Sequence, residues 1–155
     1  MSLTERYDSL PMWAHYADLA RGFVAVFDNL DDSFAGDETG SLNIPKCVIY
    51  TQRFIGMTYD PSTQDQLFFS KLSDWSYERE WRVVTALSGC SRPPSSTLYL
   101  RIVDPLHLTH VICGWRVSKD EMSSLQDDLV PINPKTKLIS ARFDGGAVNL
   151  SSALS

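Results

Sequence analysis

Residues 75–84 read Trp75-Ser76-Tyr77-Glu78-Arg79-Glu80-Trp81-Arg82-Val83-Val84. Two tryptophans and a tyrosine are interleaved with two carboxylates and two guanidiniums, and the run ends in an apolar pair. In an extended chain side chains alternate between faces, so Glu78, Glu80 and Arg82 share one side while Arg79, Trp81 and Val83 share the other. That parity predicts a strand, R-E-W-R-V-V-T-A-L, with Trp81 and Val83 toward the core and a polar face able to carry chemistry. Two readings of the polar face stand side by side. In one, Glu78 and Glu80 project into a cleft, one orienting a hydroxyl and the other facing developing charge, with Arg82 tuning both. In the other, the carboxylates pair with Arg82 and serve structure, because ion-pair networks also gather carboxylates. Trp75 and Tyr77 either anchor the core or offer a stacking platform to a planar ligand.

Upstream, Ser9 is placed to cap a helix whose first turn tolerates Pro11. Met12 to Arg21 repeats apolar residues at helical spacing, with Met12, Tyr16 and Leu19 on one stripe and Gly22 as a left-handed cap. His15 and Tyr16 are candidate substrate contacts if that helix faces the central stretch. F-V-A-V-F at 23–27 predicts a buried central strand. Asn29 to Ser41 predicts an exposed acidic loop whose spacing fits no calcium-binding register. K-C-V-I-Y-T at 46–51 predicts a second strand, Tyr59 to Ser62 a turn, and T-Q-D-Q-L-F-F-S-K-L a helix burying Leu67, Phe68 and Leu72.

Downstream, Gly89 to Ser96 is turn-rich, and L-Y-L-R-I-V at 98–103 alternates as a strand would. V-I-C-G predicts a short buried strand. Ser118 is placed to cap a helix that buries Met122, Leu125 and Leu129. K-L-I-S-A-R-F and A-V-N-L predict two final strands about the turn at Asp144-Gly145-Gly146, with a frayed tail S-S-A-L-S. Strands and helices in no strict alternation define α+β: a mixed or mostly antiparallel sheet of about six strands with about three helices packed against it.

The 155 residues, 43% hydrophobic and 21% charged, suit a single domain over 1–155. A net charge of -5 and a pI near 5.0 argue against a nucleic-acid partner or an anionic membrane surface. No apolar run approaches the roughly 20 residues of a membrane span, and no secretory leader opens the chain, so the expected location is cytoplasmic. Cys47, Cys90 and Cys113 are widely spaced and read as reduced thiols. His107, His110 and Cys113, three apart in an extended segment, point to opposite faces, so no metal site is expected. Phosphate-loop, dinucleotide-fingerprint, serine-elbow and zinc-protease signatures are all missing.

The segments D-S-L-P-M-W-A-H-Y-A-D, V-I-Y, F-F-S-K-L-S-D-W-S-Y-E-R-E-W-R-V-V and V-I-C-G, in this order, resemble an uncharacterised bacterial family of unknown function. That family is recognised by M-W-x-H-Y-A and K-x-x-x-W-x-Y-E-x-E-W-R motifs. Its members look longer at the N-terminus, with a further strand before the equivalent of Thr4, so the resemblance implies a shortened member. Strand edges left open by the missing segment could be covered by a second copy in a homodimer. More weakly, helix, glycine, apolar strand and a later E-x-E is similar to the layout of ADP-ribosyltransferase-like domains. That likeness implies an NAD-utilising enzyme or a degenerate relative, with a small-molecule nucleotide as ligand. Glu80 would then hold the nicotinamide ribose and stabilise an oxocarbenium-like transition state, Glu78 would orient the acceptor, and Trp75 or Tyr77 would line the nicotinamide side. The competing expectation is a non-catalytic binding or structural module with no cofactor, in which the Glu-x-Glu-x-Arg network is structural.

Overall fold

The computed structural model describes residues 1–29, 44–53, 63–101 and 103–152. The expected acidic loop after Asn29, the turn at Tyr59 to Ser62, Ile102 and the last three residues of the tail lie outside the described residues. In chain order the elements are β1 (Ser2–Thr4), α1 (Leu10–Tyr16), β2 (Phe23–Phe27), β3 (Lys46–Cys47), β4 (Ile49–Thr51), α2 (Gln64–Phe69), β5 (Ser70–Leu72), β6 (Glu80–Arg82), β7 (Leu108–Cys113), α3 (Lys119–Leu129), β8 (Lys137–Asp144) and β9 (Ala147–Ser152). Strands and helices are mixed and the pairings mostly antiparallel, so the fold is α+β as the sequence predicts. The strands, however, form three sheets rather than one. Two compact units result: Met1–Arg6 with Phe34–Val103, and Tyr7–Ser33 with Asp104–Ser155.

In the first unit β6 is the middle strand of the antiparallel sheet β1-β6-β3. Ser2 lies opposite Arg82 and Thr4 opposite Glu80, so a segment with no strand signal of its own supplies the neighbour of the central stretch. The strand expected over 46–51 is split: β3 pairs with β6 while β4 pairs in parallel with β5. Val48, between them, is buried and donates its N–H to the Glu80 carbonyl at 2.9 Å, which turns the chain from one sheet to the other. The expected helix stops at Phe69, the residue it buries, because the chain becomes β5 at Ser70; Leu67 and Leu72 are exposed.

The strand expected from Arg79 onward is also corrected. Ser73–Glu78 forms a 3-10 helix, Arg79 closes it in the left-handed region at φ 44°, and only Glu80–Arg82 is strand. Residues 98–100 make no ladder beyond a single bridge, Ser91 to Leu100, and their side chains are exposed. Local turns take up the polar groups instead, with Arg92 Nε donating to the Ser96 carbonyl and Leu98 N–H to Ser96 Oγ.

The second unit carries the longer sheet, in the order β2-β7-β8-β9. β7 and β8 are parallel and joined through α3, while β2 and β9 pair antiparallel on either side. The strand 23–27 is therefore an edge strand, not a central one, and Phe23 is exposed. One apolar cluster joins Trp13, Ala17 and Ala20 to Ile112, Ala141 and Val148. The other sets Leu129, with Met122 and Leu125 of α3, against Val111, Cys113 and Leu138. Ser118 caps α3 and the β8–β9 hairpin turns at Asp144-Gly145-Gly146, as the sequence predicts; the cap proves to be a full capping box with Glu121, and both glycines take positive φ.

Helix α1 ends five residues earlier than expected. Trp13 is its buried residue, its indole N–H donating to the Tyr7 carbonyl at 2.6 Å, and the chain then folds back so that Ala20 N–H reaches the Trp13 carbonyl. The left-handed conformation falls on Asp18, Leu19 and Ala20 (φ 45°, 53° and 65°), not on Gly22. Burial follows the small residues Ala17 and Ala20, which leaves Tyr16 and Leu19 of the expected stripe exposed. Gly114 permits the approach: a Cβ there would sit 2.2 Å from the Ala20 carbonyl oxygen.

Candidate functional site

The central stretch builds a closed cluster of charges in the first unit. Glu78 and Glu80 are 3% and 5% exposed, values at which a carboxylate must find partners or take up a proton. Arg82 leaves β6 on the same side as Glu80, as strand parity requires. It grips that carboxylate with two bonds, Nε to Oε1 at 2.7 Å and Nη2 to Oε2 at 3.0 Å. Its Nη1 donates to the Phe68 carbonyl at 2.7 Å, so the guanidinium also fastens the end of α2.

Glu78 arrives by another route. The left-handed Arg79 breaks the alternation, and the carboxylate at the end of the 3-10 helix meets the cluster through Lys71 on β5. Lys71 Nζ bonds Glu78 Oε2 and, at 3.0 Å, Glu80 Oε2, so one ammonium bridges both acids. Two carboxylates and two cations balance. Backbone groups are satisfied as well: Tyr50 Oη accepts the Glu80 N–H at 2.8 Å, and Thr4 Oγ1 donates to the Glu78 carbonyl at 2.6 Å.

Burial by itself pushes the Glu80 carboxyl up, but hydrogen bonds from Arg82, Ser2 and Lys71 outweigh it and bring the pKa to about 2. For Lys71 burial again works toward the neutral form, and the bonds to Glu78 and Glu80 reverse it, leaving the pKa raised. The Arg82 pKa is raised mainly by its bonds to Glu80. Glu80, Lys71 and Arg82 are therefore ionised near neutral pH. An acid with a pKa near 2 is a poor proton donor there, and one already bonded to two cations is a weak base.

Trp75 and Tyr77 stand beside the cluster with ring centroids 6.0 Å apart, and Lys71 Nζ lies 5.0 Å from the Trp75 ring. Trp81 is half-buried rather than fully in the core, its indole N–H donating to Glu5 Oε1 at 2.7 Å, while Val83 is buried. His15 and Tyr16, at the end of α1, belong to the second unit and are exposed, with their rings edge-on at 6.2 Å. Within one unit, then, the structure brings together Trp75, Tyr77, Glu78, Glu80 and Arg82, and it places His15 and Tyr16 in the other.

Lys71, Tyr50, Ser2 and Thr4 are contributors that reading the central stretch alone does not find. Lys71 had a signal, as the first residue of the K-x-x-x-W-x-Y-E-x-E-W-R motif. Tyr50 closes the V-I-Y segment of the same resemblance, whereas Ser2 and Thr4 had no signal. Among the described residues no group of three or more His, Cys, Asp or Glu side chains is placed to hold a metal ion, and no helix is long and apolar enough to cross a membrane.

Fold and site together define an α+β chain with a buried, charge-balanced Lys-Glu-Glu-Arg cluster on two short strands and the 3-10 helix between them. Residues 12–83 match the model of a family described as a protein of unknown function (DUF2971). The match runs from the start of the M-W-x-H-Y-A motif to Val83, just past β6, and so takes in both motifs that carry the resemblance. No curated protein and no solved structure matches the chain.

Proposed function

We propose that the chain is a non-catalytic binding or structural module, in which Lys71, Glu78, Glu80 and Arg82 act as an ionic clamp on the small sheets of the first unit. The observation that carries this reading is the burial of both carboxylates combined with their pairing. A glutamate that stabilises a substrate cation has to reach it, and the Glu80 oxygens are occupied by Arg82 and Lys71. Breaking a buried, paired charge costs about 3–5 kcal/mol, so the clamp has a large structural effect whatever else it does. The three free cysteines accord with a reducing compartment, and we place the chain in the cytoplasm.

An NAD-consuming activity is favoured by one observation, the Trp75–Tyr77 ring pair next to Lys71 and the two acids. The experiment that separates the readings is calorimetric titration of NAD together with a nicotinamide-release assay, on the wild type and on Glu80→Gln. The clamp predicts a lowered melting temperature for Glu80→Gln and neither NAD heat nor nicotinamide release from either protein. Saturable NAD binding with release that depends on Glu80 would overturn it.

A further inference from the structure

Strand β2 is an edge of the sheet in the second unit, with β7 as its neighbour. Gly114 N–H donates to the Gly22 carbonyl and Asp28 N–H to the His107 carbonyl, both at 3.0 Å, so the backbone turns toward β7 at Gly22 and again at Asp28. Alternation between them turns the N–H and C=O groups of Phe23, Ala25 and Phe27 the other way. The bulge does not disturb that order, because the extra residue, Thr109, lies in β7. Among the described residues nothing bonds those outward groups.

Native edge strands are commonly blunted by a charge, a proline or a bulge of their own. Phe23–Phe27, F-V-A-V-F, has none of these. Val24 and Val26 pack on the Trp13 cluster, so Phe23, Ala25 and Phe27 share the other face, where Phe23 is 56% exposed. The strand also reads the same in both directions about Ala25. Antiparallel to a copy of itself, it sets Ala25 opposite Ala25 and Phe23 opposite Phe27. Each is then a hydrogen-bonded pair, because these are the residues whose backbone groups point outward. The flanking charges agree with that direction. Arg21 precedes the strand and Asp28 follows it, so antiparallel pairing brings unlike charges together at both ends, whereas parallel pairing would bring like to like. Asp28 lies 3.2 Å from His107 Nδ1, yet its side chain is still 63% exposed.

We propose that this edge is a two-fold interface at which β2 pairs antiparallel with β2 of a second copy, so that the two four-stranded sheets run on as one. Main-chain bonds hold the pair, and each exposed Phe23 ring is covered by Phe27 of the other copy. The test is sedimentation equilibrium of the full chain over a micromolar dilution series, with amide hydrogen exchange followed at both ends of the series. A reversible monomer–dimer equilibrium is expected, with Phe23, Ala25 and Phe27 amides that gain protection as concentration rises. Ala25 is exposed, so Ala25→Lys and Ala25→Glu leave the monomer folded, which unchanged far-UV circular dichroism checks. Each variant alone sets like charges opposite one another on the two-fold axis and is expected to weaken the dimer about tenfold; an equimolar mixture of the two is expected to restore it. A chain that is monomeric throughout, amides protected equally at every concentration, or a dimer indifferent to both substitutions would overturn the proposal.

Discussion

Among the described residues no strand of the first unit exceeds three residues, whereas the sheet of the second has strands of five, six, eight and six. The two units fix register by different means. On the long strands each face carries an apolar set, and a one-residue slip would turn Ile112, Ala141 and Val148 away from Trp13, so packing alone specifies the pairing. Three-residue strands offer too few such positions. The first unit instead specifies its pairing with directional bonds: a guanidinium forked on Glu80, an ammonium shared by two acids, and a tyrosine hydroxyl on a strand N–H. Charge takes the place of area where area is scarce.

The harshest way to break the comparison is Arg82→Met. It leaves Glu80 with Lys71 as its remaining cation and the Phe68 carbonyl without its donor, and is expected to cost about 4 kcal/mol. Amide hydrogen exchange should rise in β1, β3 and β6, with β7 and β8 unaffected at first; equal loss of protection in both units would show that the clamp is not local.

Gly114→Ala strikes the second unit. A methyl group aimed at the Ala20 carbonyl oxygen forces the fold-back over Trp13 to shift, at an expected cost of about 3 kcal/mol in chemical denaturation. Acid separates the units without mutation. Glu80 has a folded pKa of about 2 against an ordinary 4.5, so the unfolded chain takes up its proton first and stability falls as pH drops from 4.5 toward 2. About 3 kcal/mol is expected to be lost over that window, and Glu80→Gln should flatten this part of the profile. The smallest effect is Ser118→Ala, which removes one half of the α3 capping box and is expected to cost about 1 kcal/mol, read as a small drop in melting temperature.

The same contrast explains what could be read from the chain. Helix α3 was legible because Ser118-x-x-Glu121 before an amphipathic run is a local signal, and the β8–β9 hairpin because Asp144-Gly145-Gly146 leaves the backbone little choice. Glu78, Glu80 and Arg82 were legible as a group by composition. Their exact grouping was not, because the left-handed Arg79 replaces strand parity at Glu78, and because Lys71, Tyr50 and Ser2 come from separate segments. L-Y-L-R-I-V shows the opposite failure: alternation predicts a strand, yet a strand also needs a neighbour, and the local turn bonds of Arg92 and Ser96 supply no ladder. In α1, helical spacing gave way to the burial of Trp13, which only the small Ala17 and Ala20 and the side-chain-free Gly114 allow.

The pairing of Ser2 with Arg82 bears on the order in which the molecule folds. Those partners are 80 positions apart in sequence, and closing a flexible loop of that length costs on the order of 4 kcal/mol in chain entropy. β8 and β9, by contrast, meet across a two-residue turn. During synthesis Ser2–Thr4 leaves the ribosome well before β6 and waits for it, while the segment from β7 to β9 can assemble from neighbours as it emerges. The central stretch therefore receives its first-made neighbour only after its own synthesis, and the ionic clamp closes late.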